Sequence, residues 1–478
     1  MIVTVVMGTP DRAMPGLRHR THAMDQATPP ATELAPAEKA AAQLSRRERA
    51  LQLMLTQRGD PSAEVDRMLA EDPHCVFSHS LRAALMVRSD EPAARATLAA
   101  SVEAIEAACI EAGNPTRRHA AAARAWLDGD LPLAAERYGA IVIDRPHDIL
   151  ALSLAHTLDF RLGRRRMLRD RIAQILPEWR PGTPGYASVL AMYAFGLEEN
   201  GQYRLAERTA RRALALDPQH PGAIHVVAHV MEMNGRAAEG LGFLAQTEPA
   251  WCEGTGLSTH LAWHRALFHL EADEPDTALG VYDEQIAGPI GWDLPGLADA
   301  SALLWRLELK GMDVAARWRA LADRWEIHDL GGARLFYVGH AMMAFAGAGR
   351  SSAAAHLLEA LAHTGRSCDL LSPPEEALAA PLCEALLAFA RGDYAACVAH
   401  LMRVRHISHH CGGSLAQCDL VHLTLTEAAL RTSERRLAHA LVAERTAQRP
   451  ASQLNRQLRK RLRIWDKGCA ARERPPIC

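Results

Sequence analysis

The chain has 478 residues and a formal net charge of -2, from 54 basic and 56 acidic side chains. That balance excludes the basic footprint of a nucleic-acid binder. No apolar run approaches the roughly 18 residues of a membrane-spanning helix, and hydrophobic residues at 49% with aromatics at only 5% favour close-packed Ala/Leu helices over sheets. Ten cysteines are scattered without a CxxC pair. That pattern predicts reduced thiols in the cytoplasm rather than a disulfide framework.

In chain order, Met1–Met7 is apolar but too short for a signal sequence and has no basic residues before it. The stretch to residue 40 is rich in Pro, Ala, Thr and Gly without helical period, so 1–40 is expected to be a disordered segment. Residues 41–115 read as a helical cap of divergent repeats. From 116 to 465 short turn motifs punctuate Ala/Leu-rich helical patterns, at Gly129, Gly163, Gly201, Gly235, Asp273, Gly311, Gly349 and Gly392. Successive positions lie 34, 38, 34, 38, 38, 38 and 43 residues apart. A helix–turn–helix unit near that period predicts an all-α, TPR-like solenoid (an α-α superhelix) of about eight hairpins, each turn Gly ending its first helix in the left-handed conformation. Residues 466–478 read as a C-terminal tail. The basic run from Arg456 to Arg474 reads as a solvated helix end rather than an RNA or lipid contact.

The clearest unit is Gly185–Pro218, with Tyr193 and Gly196 on its first helix, a turn at Asn200–Gly201, and Ala206 and Ala213 on its second. Asp217–Pro218 stops it, because proline cannot continue a helix and restricts the residue before it.

The next stretch, 220–271, concentrates His220, His225, His229, His260, His264 and His269, with Glu232 and Glu271. His225, His229 and Glu232 follow i, i+4, i+7 spacing and share one helix face. His260 and His264 repeat the i, i+4 spacing on the following inward helix. Trp263 lies beside His264, where it walls a pocket or fills core. Cys252 reads as a small buried residue. Further along, AGAGR at 346–350 lacks the Lys-Ser/Thr of a phosphate loop. His406, His409, His410, Cys411, Cys418 and His422 read as a repeat-boundary loop, and Ser414 lacks the flanks of a nucleophile elbow.

Residues 220–290 resemble the tetratricopeptide repeat protein 38 family, through HPGAIHVVAHVMEMNGR, EPAW, HLAWHRALFHLE and ALGVYDEQI. AMYAFGLEENGQY upstream, and GGSLAQCDLVHLTLTEAALR and ALVAERTAQRPASQLN downstream, extend the resemblance over most of the chain beyond about residue 115. The resemblance implies an all-helical repeat fold and brings no established activity. Leu415 and Cys418 stand where the family pattern has a His and a basic residue, and Tyr337 and Val338 where it has a polar Asn-Asp pair. If those polar residues serve a shared site, this chain is altered there.

First helices of such repeats line a concave binding face. His119, His156, Tyr193, His225, His229, His264 and His340 all lie six to ten residues before their turns, a row expected near one radius. Three readings stand. The histidines specify packing by bonding neighbouring carbonyls. Or they line a groove in which Tyr193, His225, His229, His260, Trp263, His264 and His340 bind a protein, a peptide or a small ligand. Or they form a metal-assisted or His-dependent hydrolytic site, with His229 or His264 as base, Glu232 as partner, and His225, His229 and His264 as ligands, zinc being the metal such a site would take. The primary expectation is an interaction module with no cofactor, no nucleic acid and no membrane, able to form a homodimer; the alternative is the enzyme. Catalytic histidines should converge, whereas groove histidines should be strung out.

Overall fold

The computed structural model describes residues 36–88, 94–108, 115–288, 293–330, 333–367, 373–432 and 434–472. Residues 45–478 make one compact unit. Of the separate unit 1–44, the structure describes 36–44 as the opening turns of a helix. That helix begins within the last five residues of the expected disordered segment. Proline at its first position is pre-organised for a helix and AEKAAA behind it is rich in helix formers. The rest of the expected disordered stretch, residues 1–35, lies outside the described residues.

The fold is an all-α superhelical solenoid. Four helices precede the regular array: α1 (Pro36–Thr56), α2 (Pro61–Glu71), α3 (Val76–Arg88) and α4 (Ala94–Ala108). The hairpins then run α5 (Pro115–Leu127) with α6 (Leu131–Asp144), α7 (Ile149–Arg161) with α8 (Arg165–Ile175), and α9 (Tyr186–Glu198) with α10 (Tyr203–Leu216). They continue as α11 (Pro221–Met233) with α12 (Ala237–Thr247), α13 (Ser258–Glu271) with α14 (Pro275–Val281), and α15 (Leu294–Leu309) with α16 (Ala315–Trp325). Next come α17 (Leu335–Gly347) with α18 (Ser351–Ser367), and α19 (Pro373–Ala390) with α20 (Tyr394–Val404). The chain closes with α21 (Leu415–Arg431), α22 (Arg435–Gln448) and α23 (Gln453–Arg472). The helices before Pro115 and after Val404 make the hairpin count exceed the eight that the turn motifs mark. α23 also carries the expected tail on as helix through Arg472, and 473–478 lie outside the described residues. No strand occurs among the described residues, where one bridge joins Arg58 to Thr255. No described helix is long and apolar enough to cross a membrane.

Every turn position singled out by spacing has a left-handed backbone, from φ 63° at Gly163 to φ 88° at Gly129. Asp273 takes the same conformation at φ 66° without being glycine, which a short polar side chain tolerates best. Its carboxylate accepts from Lys310 Nζ at 2.9 Å. Gly235 is needed twice over: φ is 65°, and a Cβ there would stand 2.6 Å from the Ala451 carbonyl oxygen.

That contact marks how the chain ends. Two apolar cores, one from Ala50 to Ala223 and one from Ala194 to Leu462, meet around α9 and α11. The C-terminal helices pack back on this junction, α21 against α11 and α15, and α23 against α13. Polar bonds fix them there. Trp305 Nε1 donates to Thr424 Oγ1 at 2.9 Å, Arg306 to the Ala416 carbonyl at 3.0 Å, and Arg449 to the Glu232 carbonyl at 2.9 Å. The first helices of the central repeats therefore face helices of the same chain as well as solvent.

Candidate metal centre

α11 is capped by His220, whose Nδ1 accepts from the Ala223 N–H at 3.3 Å while its Nε2 bonds Ser188 Oγ at 2.9 Å. This histidine is occupied in starting the helix. Pro221 and the apolar run Ile224, Val226, Val227, Val230 and Met231 bury the helix on nearly every side. α13 lies alongside it and is entered through a loop pinned to the α1–α2 turn, where Gly256 N donates to the Gln57 carbonyl at 2.7 Å. Phe268 and Leu267 bury the body of α13.

The i, i+4 pairs of these two helices face each other. Ring centroids lie 4.4 Å apart for His225–His229, 4.8 Å for His260–His264, 4.8 Å for His225–His260 and 4.5 Å for His229–His264. One nitrogen from each of the four rings falls within 4.8 Å of the others. Metal–imidazole bonds of about 2.0–2.1 Å make the edge of a tetrahedral site about 3.4 Å, so small ring movements close these donors on one ion.

Acids stand behind three of the rings. His264 Nδ1 is 2.9 Å from Glu232 Oε2, His260 Nδ1 is 2.8 Å from Asp299 Oδ2, and His229 Nδ1 is 3.4 Å from Glu198 Oε2. A carboxylate on Nδ1 orients the ring and leaves Nε2 to face a ligand, the arrangement found behind metal-bound histidines. The Nε2 atoms of His225, His229 and His264 are buried and have no hydrogen-bond partner among the described residues. Burial without a partner is costly for a polar atom, and a cation shared by these atoms removes that cost.

The electrostatics keep the rings in ligand form. Burial, then the neighbouring imidazoles, hold His225 and His264 well below the usual histidine range. Burial takes His229 down to about 4 against the pull of Glu232 and Glu199. His260 goes up, because Asp299 outweighs burial. Glu198 is pushed up to about 8 by burial and then by the Glu232 charge, and Glu199 to about 7 by burial and then by Glu198. Near neutral pH the metal-free cluster is thus a set of mostly neutral imidazoles with open lone pairs, which is what a metal requires.

A pocket of about 510 Å³ opens onto this cluster. His225 and His260 line it, with Phe195, His156, Ser188, Thr259, Asp299, Arg334, Tyr337, Ser414 and Gln417, while His229 and His264 lie fully buried behind them. Apolar walls with a few convergent polar groups suit a small organic ligand.

The structure brings together His225, His229, His260, His264 and Glu232. Trp263 is fully buried, stacked on His260 at 5.3 Å with the Arg306 guanidinium 5.2 Å from its ring. His340 lies apart, its Nδ1 bonded to the Phe336 carbonyl at 2.7 Å and its pKa brought down to about 4 by burial. Tyr193 packs between the two apolar cores and is not among the pocket-lining residues. His119 pairs with Asp148 at 2.9 Å beside a separate cavity. The expected row at one radius therefore resolves into a cluster and outliers. For Tyr193 helical rotation is the reason: offsets of six and ten residues from the turn share a face, whereas eight points the other way.

Glu198, Glu199 and Asp299 were not among the residues singled out from sequence. Glu198 had a usable signal, since it precedes Gly201 by three residues just as Glu232 precedes Gly235. Asp299 is two repeats' worth of helix away from His225 and had none. No family model matches the chain.

Proposed function

We propose that this chain binds a divalent first-row transition-metal ion on His225, His229, His260 and His264, and uses it on a small organic ligand held in the adjoining pocket. The observation that carries this reading is the convergence of four imidazoles from two neighbouring helices, two of them hydrogen-bonded to a carboxylate through Nδ1 and a third with a carboxylate oxygen 3.4 Å from its Nδ1. All-imidazole donors suit zinc, iron, copper or nickel better than magnesium or calcium. A structural zinc site is closed to solvent, whereas a catalytic one keeps a position open; here two ligands face a pocket. Glu232 and Asp299 orient the rings and supply negative charge around the ion.

On this reading the chain is a tetratricopeptide repeat protein of the protein 38 family whose repeats hold a reaction chamber. The family resemblance supports it in one respect. The departures at Tyr337, Leu415 and Cys418 gather at the pocket, which Tyr337 lines, and beside its wall residues Ser414 and Gln417. They tune the ligand rather than the metal set. A peptide laid along the first helices is disfavoured, because α21 packs on α11 and α15.

The test is elemental analysis of untagged full-length chain, desalted without chelator, beside the His229→Ala/His264→Ala variant. At least one equivalent of metal is expected in the natural chain and less than a tenth of that in the variant. A folded natural chain that retains none after exposure to zinc, iron, copper, nickel, cobalt and manganese in turn ends this reading.

A further inference from the structure

The last residue of α9 and the one after it are both glutamates, Glu198 and Glu199, and they are 0% and 4% exposed. This is a poor place for buried acids. The C-terminal end of a helix carries partial negative charge and favours cations, and adjacent carboxylates repel. The surrounding chain compensates only part of this. Arg165 Nε lies 3.3 Å from Glu199 Oε2, and the Leu415 N–H donates to Glu199 Oε1 at 3.0 Å. Both oxygens of Glu198 are buried and accept from no N–H or hydroxyl donor among the described residues, the Glu199 carboxyl being their one hydrogen-bonding neighbour.

His229 stands against this pair. Its Nδ1 is 3.4 Å from Glu198 Oε2 yet makes no hydrogen bond, and its Nε2 is left for the four-histidine set. One donor atom each from Glu198, Glu199 and His229 lies within 4.8 Å of the others. The same imidazole thus belongs to two groups of converging donors, one of nitrogens alone and one of two carboxylates and a nitrogen. Mixed oxygen and nitrogen donors suit a harder divalent ion than four imidazoles do.

Resting on the metal reading above, we propose that Glu198, Glu199 and His229 form a second divalent-cation position, so that the chain carries a dinuclear centre joined through the His229 ring. Nε2 of His229 serves the ion of the four-histidine set and Nδ1 the ion of the glutamates. Filling both positions releases the ring proton of His229 and any carboxyl proton of the pair to solvent, leaving imidazolate and carboxylates as ligands.

The experiment is metal stoichiometry on untagged full-length chain loaded with zinc(II) alone and with manganese(II) alone, then desalted. Glu198→Gln, Glu198→Gln/Glu199→Gln and His229→Ala/His264→Ala variants run beside it. Two equivalents are expected in the natural chain with at least one of the metals, one in each glutamine variant, and none in the histidine variant. One equivalent in both the natural chain and the glutamine variants overturns the second position and leaves the four-histidine site standing. Two equivalents that survive Glu198→Gln/Glu199→Gln overturn the assignment to these residues. No metal in any form overturns both readings. Glu198→Gln keeps the size of the side chain and its ability to hydrogen-bond the neighbouring Glu199 carboxyl, so it reports on the position even if the double variant folds poorly.

Discussion

Two stretches of this chain are dense in histidine, and they come to different ends. Between α11 and α13, His225, His229, His260 and His264 meet ring to ring with acids behind them. Around residues 405–422, His406, His409, His410 and His422 accompany Cys411 and Cys418, yet no metal-capable group forms there among the described residues. Arg405–Cys411 is a 3₁₀ turn on the surface side, with His406 exposed and the rings of His409 and His410 tilted against each other at 4.1 Å. The thiols are no better placed: burial, ahead of any neighbouring charge, pushes Cys418 up to about 12 and Cys411 still further, the wrong direction for a ligand thiolate. Histidine count is therefore uninformative. What separates the regions is i, i+4 phase on two neighbouring first helices, together with carboxylates from the flanking repeats.

The largest effect should come from cutting each cluster in half. His229→Ala/His264→Ala is expected to lose essentially all bound metal and, in metal-loaded protein, the stability that binding adds, about 4 kcal/mol at a thousandfold excess over Kd. His409→Ala/His410→Ala should change neither metal content nor the thermal midpoint. If the two variants behave alike in elemental analysis and calorimetry, the distinction between the regions collapses.

The acids come next. Asp299→Asn and Glu232→Gln should each weaken metal affinity by about 10–100-fold without removing a ligand, read by competition with a chromogenic chelator. Wild-type affinity in both would mean that the rings are oriented by packing alone.

Metal-free protein should then show an unusual pH profile. Glu198 keeps its proton up to about 8 when folded but loses it near the ordinary carboxylate value when unfolded. The native state therefore binds more protons across that interval, and stability falls as pH rises through it. His229, down at about 4, works the opposite way below the usual histidine range, where the unfolded chain takes up the extra proton. The two offset each other on the acid side, so chelator-treated protein should be most stable near pH 6.5 and lose about 2 kcal/mol by pH 8. Denaturant titration at several pH values measures this, and Glu198→Gln should flatten the alkaline fall. A rise in stability from pH 6.5 to 8 would contradict the buried acid.

The smallest effect separates centre from periphery by backbone alone. Gly392→Ala meets nothing within 4 Å and should cost only the left-handed conformation, about 1 kcal/mol. Gly235→Ala adds a clash with the Ala451 carbonyl and should cost about 2–3 kcal/mol while loosening the Arg449 contact to Glu232. Equal costs in urea melts would show that the C-terminal helices do not bear on the centre.

The repeat architecture was legible in the chain as written, because turn chemistry is local. A residue forced into left-handed backbone recurs at nearly even spacing, and even Asp273 stands in for glycine where the period requires it. The pairing of His225 with His229, and of His260 with His264, was legible for the same reason, since helical phase is a property of neighbours in sequence. Tertiary structure alone decided the rest. That the two pairs face each other depends on how α11 crosses α13. Asp299 reaches His260 from 39 residues away, and Arg449 reaches Glu232 from 217. Such contacts follow from superhelical curvature and from the return of the C-terminal helices. Both are sums of many small packing preferences over the whole array, and no single stretch of residues encodes them.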